Sequence, residues 1–129
     1  MTLLRVFLAE DSPAVLTALK LMLEPIPQVQ VIGDAERASQ AVERIETLRP
    51  DVAFLDISLA EGSGIDVLKR IKQTLPAVIA IMLTSHDDRW TRTKCKEAGA
   101  DHFLSKSDDF AKIPALLRQI AQETGLDLS

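Results

Sequence analysis

Four short apolar runs, rich in β-branched residues and bounded by polar or turn residues, punctuate the chain: Leu3–Ala9, Val29–Ile32, Val52–Leu55 and Val78–Leu83. A weaker fifth run spans His102–Leu104. Apolar residues on consecutive positions suit strands covered on both faces, as in a parallel sheet. Between these runs the apolar spacing becomes helical. Val15, Leu16, Leu19, Met22 and Leu23 share one face, behind Ser12 as N-cap and Pro13 at the first helical position, and Pro25 and Pro27 stop this helix. Ala38, Ala41, Val42, Ile45 and Leu48 mark a second helix, with Ser39, Gln40 and Glu43 turned outward and an end near Arg49-Pro50. Ile65, Leu68, Ile71 and Leu75 mark a third, closed by Pro76. A fourth runs from about Asp88 to Ala98, is poorly amphipathic, and ends at Gly99 as C-terminal cap. The fifth starts near Pro114 and buries Leu116, Leu117 and Ile120.

Five β-α repeats predict an α/β fold, a five-stranded parallel sheet doubly wound as (βα)5 with right-handed crossovers and helices on both faces. In such sheets functional groups gather beyond the carboxyl ends of the strands. The 129 residues suit one domain, and neither an internal repeat nor a linker breaks the pattern. A formal net charge of −4 argues against a nucleic-acid binder. Cys95 is the only cysteine, which excludes an intramolecular disulfide and a cysteine-based zinc site. Neither a signal peptide nor an apolar stretch of about 18 residues is present, so the expectation is a cytoplasmic chain with no membrane contact.

The strand ends carry the chemistry. The first ends in Glu10-Asp11, the third in Asp56, the fourth in Thr84-Ser85, and the fifth leads into Lys106. Each has a plain structural role open to it: Asp11 in starting a helix, Thr84 and Ser85 in a turn, Lys106 as a solvated amine. Asp56 is harder to explain so, because a carboxylate directly after Val52-Ala53-Phe54-Leu55 gains nothing from packing. Three converging carboxylates repel one another unless a cation intervenes, and Mg²⁺ is the cation that suits hard oxygen ligands. A carboxylate so placed is able to act as a nucleophile and form an aspartyl phosphate, with metal, lysine and hydroxyl neutralising the phosphoryl oxygens.

The segments "FLAEDSP", "DVAFLDISLAEGSG", "IMLTS" and "GADHFLSKS" resemble the receiver domain of two-component response regulators, over essentially the full chain. The resemblance implies a flavodoxin-like receiver fold with strand order 2-1-3-4-5. It makes Asp56 the phosphoacceptor, Thr84 the switch hydroxyl and Lys106 the phosphate-pairing lysine. Mg²⁺ would be held by Glu10, Asp11, Asp56 and the backbone carbonyl of Ser58, with Asp11 the closer ligand and Glu10 holding a coordinated water. Phe103 matches the aromatic switch, often a tyrosine, and Ser58 and His86 occupy positions that tune phosphoryl lifetime. Gly64 stands where the family usually has a glycine. Ala60 and Ser107 replace usual prolines, so the Lys106-Ser107 bond is expected to be trans or strained.

The expected function is a phosphorylation-dependent signalling switch, not a turnover enzyme. Its expected partners are a sensor histidine kinase or histidine phosphotransfer protein, and an output protein, effector domain or dimer partner. The readout surface would be helix four, strand five and helix five, where Arg89, Trp90 and Arg92 are candidate contacts. Two rivals remain: a Mg²⁺-dependent phosphohydrolase, weakened because Ile57 and Ser58 supply no second acid after Asp56, and a pseudo-receiver that binds without phosphorylation. A dinucleotide-binding reading fails because "LAEDSP" offers no glycine-rich turn and would repel a pyrophosphate.

Overall fold

The structure, a computed structural model, describes residues 3–85 and 88–125. Five parallel strands form one sheet: β1 (Leu4–Ala9), β2 (Val29–Ala35), β3 (Val52–Asp56), β4 (Ile79–Thr84) and β5 (His102–Ser105), in the order β2-β1-β3-β4-β5. The helices are α1 (Pro13–Leu23), α2 (Ala38–Leu48), α3 (Gly64–Thr74), α4 (Arg89–Glu97) and α5 (Ile113–Glu123). Among the described residues no helix is long and apolar enough to cross a membrane.

Strand side chains alternate between two cores, as the period of two demands. Phe7, Ala9, Ala53, Leu55, Ala80 and Met82 face one, with Ala41 and Ile45 of α2, Val67, Leu68 and Ile71 of α3, and Cys95 of α4. Leu4, Val6, Leu8, Val52, Phe54, Ile81 and Leu83 face the other, with Leu19 and Leu23 of α1 and Ile113, Leu117 and Ile120 of α5. Hence the runs read as continuously apolar: each face of the sheet is covered. Ser12 caps α1 by accepting the Val15 N–H at 3.3 Å, with Pro13 opening the helix. Asp88 caps α4 in the same way, accepting from Thr91 N–H at 2.7 Å.

Three features depart from the sequence reading. β2 continues through Gly33-Asp34 to Ala35, because its polar end stays paired with β1 after a register shift between Val6 and Phe7. A two-residue antiparallel ladder, Ser58–Leu59 with Gly62–Ser63, occupies the loop after β3. The fifth helix begins at Ile113, one residue before Pro114, and is preceded by a 3-10 turn at Phe110–Lys112. The thin apolar content of α4 also has a structural form: its buried stripe is Thr91 and Cys95, while Trp90 is 68% exposed.

Phe54 is 1% exposed at the centre of the sheet. Phe54→Ala removes a ring that neighbouring side chains have no room to replace, and is expected to lower stability by about 3–5 kcal/mol in urea unfolding. A loss below about 1 kcal/mol would contradict the packing described.

Candidate functional site

Strand register assembles the site. Ala9 pairs with Leu55, so the next residues, Glu10 and Asp56, leave adjacent strands side by side. Thr84 pairs with Ser105, so Lys106 emerges beside the end of β4, its N–H donating to the Thr84 carbonyl at 2.8 Å. Each group is the residue at or just past the point where strand pairing ends. Carboxylate oxygens of Glu10, Asp11 and Asp56 all lie within 4.8 Å of one another.

Burial separates the three acids. Glu10 is 2% exposed and Asp56 3%, whereas Asp11 is exposed. The Lys106 ammonium bridges the buried two, with Nζ 2.9 Å from Glu10 Oε1 and 3.1 Å from Asp56 Oδ2. Glu10 Oε2 accepts the Ser12 N–H at 3.0 Å and Asp56 Oδ1 the Ser58 N–H at 3.2 Å. Glu10 Oε1 faces the ammonium as an ion pair without an aligned hydrogen bond. The ammonium neutralises that oxygen's charge but leaves it lone-pair capacity for a further ligand. That oxygen, beside two further hard carboxylate ligands, fits a divalent cation of the magnesium type.

Electrostatics splits the pair. Burial foremost, then the neighbouring Glu10 carboxylate, pushes Asp56 up to about 7 against the opposing pull of Lys106. For Glu10, burial works upward, but bonding to Lys106, Asp56 and the Ser12 N–H outweighs it and holds the group below its usual range. Burial likewise works to lower Lys106, and its bonds to the two acids more than reverse this. Two carboxylates sharing one ammonium therefore titrate as a coupled pair, with Asp56 pushed up and Glu10 held down in the absence of a further cation.

Gly64 shows why a glycine follows the third strand at this distance. A Cβ there would lie 2.0 Å from the Asp56 carbonyl oxygen, and the Gly64 N–H donates to the Ile57 carbonyl at 2.9 Å. The start of α3 thus rests directly on the backbone that carries Asp56.

The remaining sequence candidates are placed as follows. Thr84 is 1% exposed at the end of β4, and Ser58 opens the short ladder with its side chain exposed. Phe103 is half-buried against the α2–α3 core, with the Arg92 guanidinium 4.6 Å over its ring. Arg89 and Trp90 are exposed on α4. His86 lies outside the described residues. No peptide bond among the described residues is cis, so the Lys106-Ser107 bond is trans. Sequence reasoning missed that Lys106 pairs with Glu10 as closely as with Asp56, and that Arg92 covers Phe103. Neither follows from spacing, because both join residues more than ten positions apart through long flexible side chains.

The Asp56 shift sets a pH dependence. Between its unfolded value near 3.8 and its folded value of about 7, the unfolded chain has released a proton that the folded protein keeps. Stability from this group is therefore full at low pH and is lost as pH rises through 7. Glu10 acts oppositely, but only below its ordinary value. With chelator present, Asp56→Asn is expected to be more stable than the parent protein at pH 8, by on the order of 2 kcal/mol, with the gap closing towards pH 5. Thermal unfolding at the two pH values measures it; a gap independent of pH would contradict the buried repulsion.

Known proteins carry the same architecture. A family model described as the response regulator receiver domain matches residues 6–118. The chain is 29% identical over 117 residues to protein-glutamate methylesterase/protein-glutamine glutaminase 1 of Carboxydothermus hydrogenoformans, covering 89% of this chain and 34% of that protein. It is 31% identical over 104 residues to the DNA-binding transcriptional activator DevR/DosR of Mycobacterium tuberculosis, covering 81% of this chain and 48% of that one. The chain thus spans about a third to a half of the length of these curated relatives. Among solved structures, the response regulator domain of Thermotoga maritima CheB superposes with a TM-score of 0.83 at 28% identity, covering 97% of this chain and 98% of that one. The signal receiver domain of the response regulator NarL from Mycobacterium tuberculosis, at 24% identity, matches in fold with a TM-score of 0.87, over 95% of this chain and 98% of that one. With most of its length matched by the family model and its sheet in the expected order, the chain belongs to the response regulator receiver domains.

Proposed function

We propose that this domain is switched by transfer of a phosphoryl group to Asp56 from a phosphohistidine on a sensor kinase or histidine phosphotransfer protein. Receiver domains are phosphorylation-dependent switches. The observation that carries the assignment to Asp56 is its place: a buried carboxylate ending the central strand β3, 3.1 Å from the Lys106 ammonium and within 4.8 Å of the Glu10 and Asp11 carboxylates. Asp11, Asp56 and the Ser58 carbonyl would hold Mg²⁺, with Glu10 acting through water. The ion supplies positive charge that offsets the acids and the incoming phosphoryl oxygens.

The chain's own groups do the rest. Asp56 must lose its proton to act, and Lys106 favours that loss. An Asp56 oxygen forms a bond to phosphorus as the phosphorus–nitrogen bond of the donor breaks, the bonding pair staying on the imidazole nitrogen. The Lys106 ammonium and Thr84 hydroxyl orient the phosphoryl oxygens. The product replaces the single Asp56 carboxylate charge with a phosphoryl group carrying about −1.5 to −2, at a place where Lys106 had been shared between two acids. Thr84 moving to the phosphoryl group opens room for Phe103 to turn inward, which biases an existing equilibrium. Phe103 has no hydroxyl, and in its half-buried place the Arg92 guanidinium lies 4.6 Å over its ring, a contact worth about 0.5–1 kcal/mol at an exposed site.

The output surface is α4, β5 and α5. Trp90 stands exposed there, and a groove of ≈ 360 Å³ between α4 and β5 is lined by Arg92, Lys96 and Phe103 among others. Partners with an acidic and apolar face suit it. A cytoplasmic location and the absence of direct nucleic-acid binding by this domain belong to the same reading. Turnover of free phosphates does not suit the site, since Ile57 and Ser58 follow Asp56 without a second acid.

Incubation with acetyl phosphate and Mg²⁺ is expected to add one phosphoryl group by intact mass, and Asp56→Asn or excess chelator to abolish the gain. A gain retained in Asp56→Asn, or none in the parent protein, would overturn the assignment. Decay of the same mass shift after acetyl phosphate is removed, with Mg²⁺ kept, reads the lifetime, which Ser58→Ala and His86→Ala are each expected to change; lifetimes equal to the parent's in both would remove their modulating role.

A further inference from the structure

Asp109 lies three residues beyond Lys106 and belongs to none of the motifs above. It stands before the 3-10 turn yet makes no side-chain cap bond to it. Its carboxylate turns back instead, and Oδ2 accepts the Ser105 N–H at 2.8 Å. Its own N–H donates to the Ser105 carbonyl at 2.9 Å. Two bonds between the same pair of residues close the segment 105–109 into a ring that contains the lysine.

Further contacts stiffen that ring. The hydroxyls of Ser105 and Ser107 share a hydrogen bond of 2.9 Å, and Ser105 is 1% exposed. The Lys106 N–H is held by the Thr84 carbonyl at 2.8 Å. Lys112 Nζ lies 2.9 Å from the other oxygen, Asp109 Oδ1. The Ser105 N–H first, and then Lys112, hold the Asp109 carboxyl below its ordinary range, so the acceptor is the ionised and stronger one. Position 107 is a serine, which leaves the backbone after the lysine without the fixed φ that a proline would impose. A polar clasp does that work here.

We propose that Asp109 is the positioning residue for the Lys106 ammonium. A lysine side chain reaches its partner over a flexible four-carbon stem, so where the ammonium rests depends on how firmly the backbone at its base is held. Opening the clasp lets the 105–109 segment relax and the ammonium leave Glu10 and Asp56. Displacements of about 1 Å in such groups cost phosphoryl transfer up to about a hundredfold. The consequence for phosphoryl transfer rests on the reading of Asp56 as phosphoacceptor; the positioning of Lys106 does not.

Two readouts separate these. The first is the rate at which acetic anhydride, in limiting amount, acylates Lys106, followed by peptide mass mapping. Asp109→Ala is expected to raise that rate several-fold, and Asp109→Asn, which keeps an oxygen acceptor for the Ser105 N–H, to stay near the parent value. The second is the rate of Asp56 phosphorylation by acetyl phosphate with Mg²⁺. Asp109→Ala is expected to slow it about tenfold, Asp109→Asn to recover most of the loss, and Asp109→Ala to cause no further loss in a Lys106→Ala background. Asp109→Leu, close to Asp in shape and without an acceptor for the Ser105 N–H, takes the place of the alanine variant should that variant lack a thermal transition. Unchanged Lys106 labelling, or an equal loss with and without Lys106, overturns the proposal. A parent protein that takes no phosphoryl group overturns the phosphoacceptor reading alone, and the labelling still decides the role of Asp109.

Discussion

One ammonium between two buried carboxylates is the contact on which the rest of this domain turns. Glu10 and Asp56 end neighbouring strands and are almost fully buried, an arrangement that repulsion and desolvation both oppose. Lys106 lies within 3.1 Å of each and makes the arrangement tolerable without resolving it. Asp56 stays near 7, Glu10 Oε1 has no aligned donor, and Asp11 waits exposed beside them. A site so balanced responds strongly to a further cation or a phosphoryl group, because each changes how the single ammonium is shared.

The fold exists to hold that imbalance. Two apolar cores, one on each face of the sheet, stabilise strands whose ends are free to be polar. Pairing of Ala9 with Leu55, Asp56 with Leu83 and Thr84 with Ser105 brings groups far apart in sequence to one edge. Gly64 lets α3 begin against the Asp56 carbonyl, where any Cβ would collide. Local stability and strand register together therefore set a geometry that the charges alone would disperse.

Much of this is legible in the chain before folding. Continuously apolar runs such as Val52–Leu55 demand cover on both faces, and that demand leads directly to the doubly wound sheet. Acids and a lysine at strand ends announce the site because packing does not explain them. What spacing does not reveal is that the lysine pairs with Glu10 as closely as with Asp56, that Arg92 covers Phe103, or that Asp109 folds back on Ser105. Those contacts depend on side-chain reach and loop closure. The polar end of β2 is hidden for a different reason: pairing with β1 after a register shift, rather than hydrophobicity, keeps it in the sheet.

The most direct test of the central contact is the carboxyl titration of Asp56 followed by carbon NMR, with chelator and then with saturating Mg²⁺. The shared ammonium predicts a midpoint near 7 without the ion and a fall of more than about one unit with it. A midpoint near the ordinary 3.8 in both conditions would mean that Asp56 is not under the burial and repulsion described, and would contradict the account.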